Sequence, residues 1–429
     1  MAEIFLILGL IAVLIIFIVW PKISLYTLAF LAPVIGWSLY YKNLILTPID
    51  LIAVLAALAF FLRLIFQALF RVKEPIKLKW PLWLPFLIFL LINFLSAIFS
   101  VDPSYSLWYI VRWLLLLYIG YIVVPYNLIN DGKTLKKTII ALVLSSLVVL
   151  SSGLLSLYGQ DWSDSFFRLR SLAIAGVFPF GDNQNLIAEF LNVGVFLILV
   201  LKELLRSEKI KKIWNIIAIL MAASIIMTFS RAGWITLILQ AIFYFGYRLR
   251  KKIKFSTLFF AILGLLLILS PLLWKMDQLQ KENVSSTENR LLLTEIAWQA
   301  VQNKPYFGAG PGQFVNLVAD NIRFTAKYGA PLDSHGMLQK VAAENGLLGL
   351  IAWIFLLGYL LKIAGQSLKK YYQDYPWILP LILAGAGGLF FQFFNTSYYK
   401  GKVWIPIAVF LAAGRLLETK YATPDKRKN

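Results

Sequence analysis

The chain of 429 residues contains no cysteine and a single histidine. The first absence excludes disulfides, thiolate catalysis and cysteine-ligated metals. The second leaves His335 as the only side chain whose ordinary pKa lies near neutrality. A metal site would then need several clustered carboxylates, and the sequence has no such cluster. Charge is sparse at 14%, and acidic charge sparser, with 21 Asp and Glu against 41 Lys and Arg. The alternating ten-residue segments of an outer-membrane barrel are also missing. Residues 4–20 lack the basic flank and small-residue cleavage site of a signal peptide, and they read as a retained helix.

Apolar residues fill the chain, at 60%. Runs of roughly membrane-spanning length lie at 49–70, 81–100, 104–126, 138–158, 184–204, 211–229, 232–247, 254–274, 340–362, 376–396 and 401–418. Pro21 and Pro33 break the first forty residues into one effective crossing. The expected fold is an all-α polytopic membrane protein with about twelve transmembrane helices and an inside N-terminus. Separate crossings by 4–20 and 23–41 would make thirteen.

The connections alternate in charge. Segments 71–79, 130–137, 202–212, 247–254, 362–370 and the tail from Arg415 hold 25 of the 41 Lys and Arg. The positive-inside rule assigns them to the cytoplasm. Most of the +20 net charge then reflects topology and contact with membrane lipids, and no nucleic-acid partner is expected. The domain reading is residues 1–274 as N-terminal membrane helices, 275–336 as a structured outer loop, 337–420 as C-terminal membrane helices and 421–429 as a cytoplasmic tail. The loop is not low-complexity. A capping box, Ser285-x-x-Glu288, opens a helix carrying Leu293, Ala297, Ala300 and Val301 at helical spacing.

Ionisable residues at the outer ends of the apolar runs are the candidates for chemistry. His335 follows Asp333 and Ser334, both plausible N-caps, which puts the imidazole in a first helical turn. A helix N-terminus keeps it neutral and able to accept a proton. The competing reading is a polar interface residue bonded to a cap. Arg231, in "FSRAGW", sits in a very short turn between two apolar runs. There it marks a functional site or snorkels to lipid phosphate, and its small neighbours would let a ligand or another backbone approach. Arg290 falls in the first turn of the loop helix, where a cation opposes the helix dipole unless an anion is shared with it. Arg112 and Glu189 are charges inside apolar runs, each either a partner of another helix or part of a lipid-carrier groove. "GAGPGQF" (308–314) lacks the spacing of a phosphate loop and reads as a tight structural turn. "DWSD" (161–164) is not a DxD metal pair and is weak as a metal site. Several arginines and one neutral imidazole suit a pyrophosphate substrate, because guanidinium forks stabilise departing negative charge.

"SRAGW", "NKPYFGAGPGQF" and "SHGMLQKVAAENGLLGL", with "FPFGDNQNLIAEFL" upstream, resemble the O-antigen ligase and polymerase superfamily of GT-C glycosyltransferases. The resemblance implies transfer of a glycan from undecaprenyl pyrophosphate to a lipid A–core acceptor at the periplasmic face of the bacterial inner membrane. That reaction is metal-independent, needs no cofactor and inverts the anomeric carbon. By motif, His335 would be the base, and Arg231 and Arg290 would hold the pyrophosphate. Arg168, Arg170, Asn185, Arg112 and Arg323 would contribute to substrate binding. Gly336 departs from the Asn or Ser that many members carry after this histidine. The single compact loop favours a ligase over a polymerase that extends carrier-linked glycan. A lipid-linked glycan transporter would favour inverted repeats, and none is seen.

Overall fold

The computed structural model describes residues 2–41, 44–70, 77–158, 160, 168–205, 207–249, 256, 257, 264 and 285–422. The expected span 254–274, the first ten residues of the outer loop and the "DWSD" pair lie essentially outside these, as does the tail beyond 422.

The described chain is helical except for one hairpin, Leu39–Tyr41 with Leu44–Leu46, in which Leu39 pairs with Leu46. Helices α1 (Ala2–Val19) and α2 (Pro21–Phe30) meet at a bend of 116°. Pro21 lacks the N–H that would continue α1, and the Arg63 guanidinium caps the freed Ile18 carbonyl at 3.0 Å. The pair is thus one broken span or a re-entrant element. Next come α3 (Pro48–Leu69), α4 (Trp83–Ile98) and α5 (Pro103–Leu128), which turns π-helical over Ile110–Leu115 and Leu117–Val123. They are followed by α6 (Gly132–Leu155), α7 (Gln184–Leu204), α8 (Glu208–Met227) and α9 (Arg231–Leu249). The outer loop supplies α10 (Ser285–Asn303), α11 (Phe314–Ala319) and α12 (Ile322–Tyr328). Helices α13 (Met337–Tyr371), α14 (Ile378–Phe391) and α15 (Gly401–Ala422) complete the bundle.

Among the described residues six helices are long and apolar enough to cross a membrane: α3, α5, α6, α7, α8 and α13. Counting the bent pair makes seven. This supports a helical membrane protein and does not support about twelve spans. Hydropathy windows overcount because apolar composition does not fix helix length. The run 81–100 yields a helix of only 16 residues, and 376–396 yields the short Ile378–Phe394 element.

The main core gathers around α7, whose length is buried from Ile187 to Leu201 except Leu199. The outer loop has a core of its own, built from Leu293, Ile296, Ala297, Ala300, Phe314, Val318 and Phe324, and Ala343 of α13 completes it. That junction depends on a break in α13. Gly346 adopts φ 65° and ψ −168°, a region essentially closed to other residues. Carbonyls released before the break accept from the glycine turn: Ala309 N–H to Ala343 O at 2.9 Å, and Gly310 N–H to Glu344 O at 2.8 Å. Beyond it, Leu347 N–H donates to Pro305 O. "GAGPGQF" is thus a strap that docks the outer loop on the membrane helix. Its three glycines have positive φ, and a Cβ on Gly308 would stand 2.5 Å from the Glu344 carbonyl carbon.

Candidate functional site

The site assembles where α9, α10 and α13 begin. At the end of α8, Phe229 takes φ 54° and turns the chain so that Ser230 precedes α9. The buried Ser230 hydroxyl accepts the Gly233 N–H at 3.1 Å, which leaves Arg231 as the exposed first residue of the helix. The small residues of this motif let side chains of α7 pack closely. A Cβ on Gly233 would meet the Ala188 Cβ at 2.8 Å, and Asn192 donates to the Gly233 carbonyl.

Arg290 lies on α10. The helix opens at Ser285, so Arg290 is its sixth residue and lies in the second turn, not the first as expected. The Glu288 carboxylate pairs with Lys327 of α12.

His335 also sits slightly differently from expectation. Gly336 is the N-cap of α13, which places the imidazole one residue before the cap and outside the first helical turn. Asp333 does not cap because Lys340 claims it, with Nζ 2.7 and 2.9 Å from its two oxygens. Lys340 is almost fully buried and needs an anion there. Ser334 accepts the Gly336 N–H at 3.2 Å and approaches Gln339 Oε1 at 3.2 Å. Gln339 donates to Thr294 Oγ1 at 2.7 Å, and Thr294 donates to the Arg290 carbonyl at 2.7 Å. A run of hydrogen bonds thus joins the His335 turn to the helix that carries Arg290.

The three groups share one electrostatic neighbourhood. Burial and the Arg290 guanidinium lower the His335 pKa, while Asp333 opposes them. The imidazole is therefore kept neutral by desolvation and a cation, where the sequence pointed to a helix terminus. Burial lowers the Arg290 pKa, and the nearby Arg231 charge adds to it. Two guanidinium groups this close repel each other, so the corner favours an anion between them.

The remaining candidates divide. Leu169 N–H donates to Met227 O at 3.0 Å, which sets Arg168 and Arg170 beside the end of α8, just before the Arg231 turn. Burial and the Arg170 charge both press on the Arg168 guanidinium. Asn185 sits in the first turn of α7, one turn above Glu189. Arg323 lies elsewhere: on the exposed face of α12 it pairs with Glu295 at 3.2 Å, as a strut of the outer loop. Arg112 stacks on Trp113 at 4.2 Å, in a cluster where Tyr121 and Lys400 reach the buried Asp50, and the Tyr399 ring joins that cluster to Lys340. Among the described residues no three of His, Cys, Asp and Glu converge to hold a metal ion.

Residues 216–354 match the family model of the O-antigen ligase. That interval contains Arg231, Arg290 and His335. A ComP-specific O-oligosaccharyltransferase of Acinetobacter baylyi is 24% identical over 315 residues, 70% of this chain and 55% of that protein. Residues 216–354 of this chain are thus similar to O-antigen ligases. It spans little more than half the length of that curated relative.

Sequence reasoning passed over several residues that hold the corner together. Lys340, Gln339 and Thr294 carry no motif, and Lys340 looks like one more basic residue beside an apolar run. Glu189 resolves towards the structural alternative. It accepts from Lys402 at 2.6 Å, Gln392 at 2.8 Å and Asn395 at 3.0 Å, all from the α14–α15 corner. The same corner touches the histidine turn. A Cβ on Gly336 would stand 3.2 Å from the Phe393 carbonyl, so the bare glycine lets that backbone approach.

Proposed function

We propose that this chain is a glycosyltransferase that moves a glycan from undecaprenyl pyrophosphate to an acceptor hydroxyl, as an O-antigen ligase using lipid A–core. The active site faces the periplasm across the bacterial inner membrane. The observation that carries the reading is the position of Arg290, within electrostatic reach of both Arg231 and His335. The acceptor oxygen attacks the anomeric carbon from the face opposite the leaving group. Its proton passes to the neutral His335 imidazole, the glycosyl C–O bond breaks, and the electron pair leaves on the pyrophosphate. Arg231 and Arg290 stabilise the charge that develops there, and the anomeric configuration inverts. A positioned base contributes about 10²–10⁴-fold and one well-aimed donor about 10²–10³-fold. Arg168 and Arg170 extend the cationic surface towards the carrier.

The O-oligosaccharyltransferase relative favours a second acceptor, a hydroxyl on a protein. Incubating purified enzyme with carrier-linked glycan separates the possibilities. Product on lipid A–core supports the ligase, product on a hydroxyl-bearing protein supports the second reading, and chain growth with neither identifies a polymerase. No covalent product with any acceptor in detergent would defeat all three and point to transport.

A further inference from the structure

Helix α13 runs from the His335 corner to Lys369 and Lys370, so its far end marks the opposite side of the bundle. Two basic connections, 362–370 and the tail from Arg415, meet there around a cavity of about 830 Å³, walled by Trp80, Trp83, Tyr126, Lys370 and Arg415. Its walls are fixed by hydrogen bonds. Asn127 accepts the Lys79 N–H at 2.9 Å and donates to the Lys79 carbonyl at 2.8 Å, and the Tyr118 hydroxyl donates to Pro81 O. Arg415 donates to Ile129 O at 2.6 Å while its guanidinium lies 4.4 Å over the Tyr126 ring.

Two neighbouring spaces share these residues. Trp80 and Trp83 also wall an apolar groove of about 500 Å³ with Phe86, Leu87, Leu90 and Tyr118. Arg415 also lines a cavity of about 760 Å³ with Lys22, Arg63, Lys77, Lys79 and Lys420. An apolar groove, an aromatic rim and a cationic chamber therefore lie in sequence, the order of parts in a phospholipid. Among the described residues that line the 760 Å³ chamber six are basic and none acidic; Glu418 lines the first cavity near Lys370 and Asp131 pairs with Lys22, so the chamber keeps a positive excess.

We propose that this end binds an anionic phospholipid of the cytoplasmic leaflet, separate from the transfer site. Its phosphodiester rests against Arg415 between the two cavities, its headgroup faces Lys79 and Lys420, and an acyl chain runs along Trp83, Phe86 and Leu90. Inorganic phosphate would satisfy the cations but leave the groove unfilled. A zwitterionic lipid would fill the groove but add no net charge against the lysines. Aromatic rings at the rim suit the interfacial depth.

Native mass spectrometry of the detergent-purified full chain tests this, with phosphatidylglycerol, phosphatidylcholine and inorganic phosphate as separate additions. One phosphatidylglycerol should survive activation several-fold more often than phosphatidylcholine. Arg415→Gln and Trp83→Ala should each reduce that retention several-fold, and Lys362→Gln, outside the cavities, should not. If Arg415→Gln does not fold, the Lys79→Gln/Lys420→Gln double variant should show the same loss. Equal retention of the two lipids, or unchanged retention in the cavity variants, would overturn the proposal. Phosphate binding that matches the lipid would make this an ion site instead.

Discussion

Replacing Gly346 by alanine adds one methyl group where α13 breaks and the outer loop docks. The backbone there has φ 65° and ψ −168°, and the new Cβ would stand 2.4 Å from both the carbonyl carbon and oxygen of Tyr306. Strain in that region costs about 1–3 kcal/mol. Overpacking against an immobile backbone costs about 1–3 kcal/mol more, so a total of about 2–6 kcal/mol is expected. Gly358, in the same helix with nothing within 4 Å of its Cβ, provides the control. Alanine there removes a helix-interior glycine and should be neutral or stabilising by up to about 1 kcal/mol. Thermal unfolding in micelles, followed by emission of the 14 tryptophans, compares the two. Gly346→Ala should also lose turnover, because the displaced strap leads directly from the helix carrying Arg290. Equal melting temperatures for the two variants would refute the docking account.

Two further expectations follow from the charges. The acid limb of the pH–rate profile should lie below the ordinary imidazole pKa of about 6.5, because burial and Arg290 disfavour imidazolium. Arg290→Gln should move that limb up and Asp333→Asn should move it down. A limb that stays in place in both variants would contradict the assignment. Lys340→Met should cost about 3–5 kcal/mol by stranding Asp333 and the buried Glu344, read as a lower melting temperature. Asp333→Asn should cost less, because Glu344 remains 3.8 Å from Lys340. The reverse order would show that the pair is not held as described.

Readings that rested on local chemistry came through best. "GAGPGQF" is a glycine turn because three glycines and a proline within a few residues leave little else. "SRAGW" lies at a very short turn because Phe229 bends the chain at φ 54° and the Ser230 hydroxyl accepts the backbone N–H three residues on. Readings that depended on distant partners were beyond a single sequence. Nothing near Glu189 announces Lys402, which lies 213 residues away. Asp333 looks like a cap until Lys340, seven residues on, is folded back against it. Arg323 looked like Arg290 in composition and neighbourhood, and only the Glu295 contact separates them. The count of about twelve spans is not supported among the described residues, because hydrophobicity reports what a segment is made of, whereas crossing a bilayer requires an uninterrupted helix of about 30 Å.

The most direct measurement is single-turnover glycan transfer by His335→Ala and Arg231→Ala, each beside the parent enzyme and matched for folding by melting temperature. The account predicts a loss of about 10²–10⁴-fold for the histidine variant and about 10²–10³-fold for the arginine variant, with carrier binding weakened chiefly in the second. Transfer at the parent rate by well-folded His335→Ala protein would contradict it.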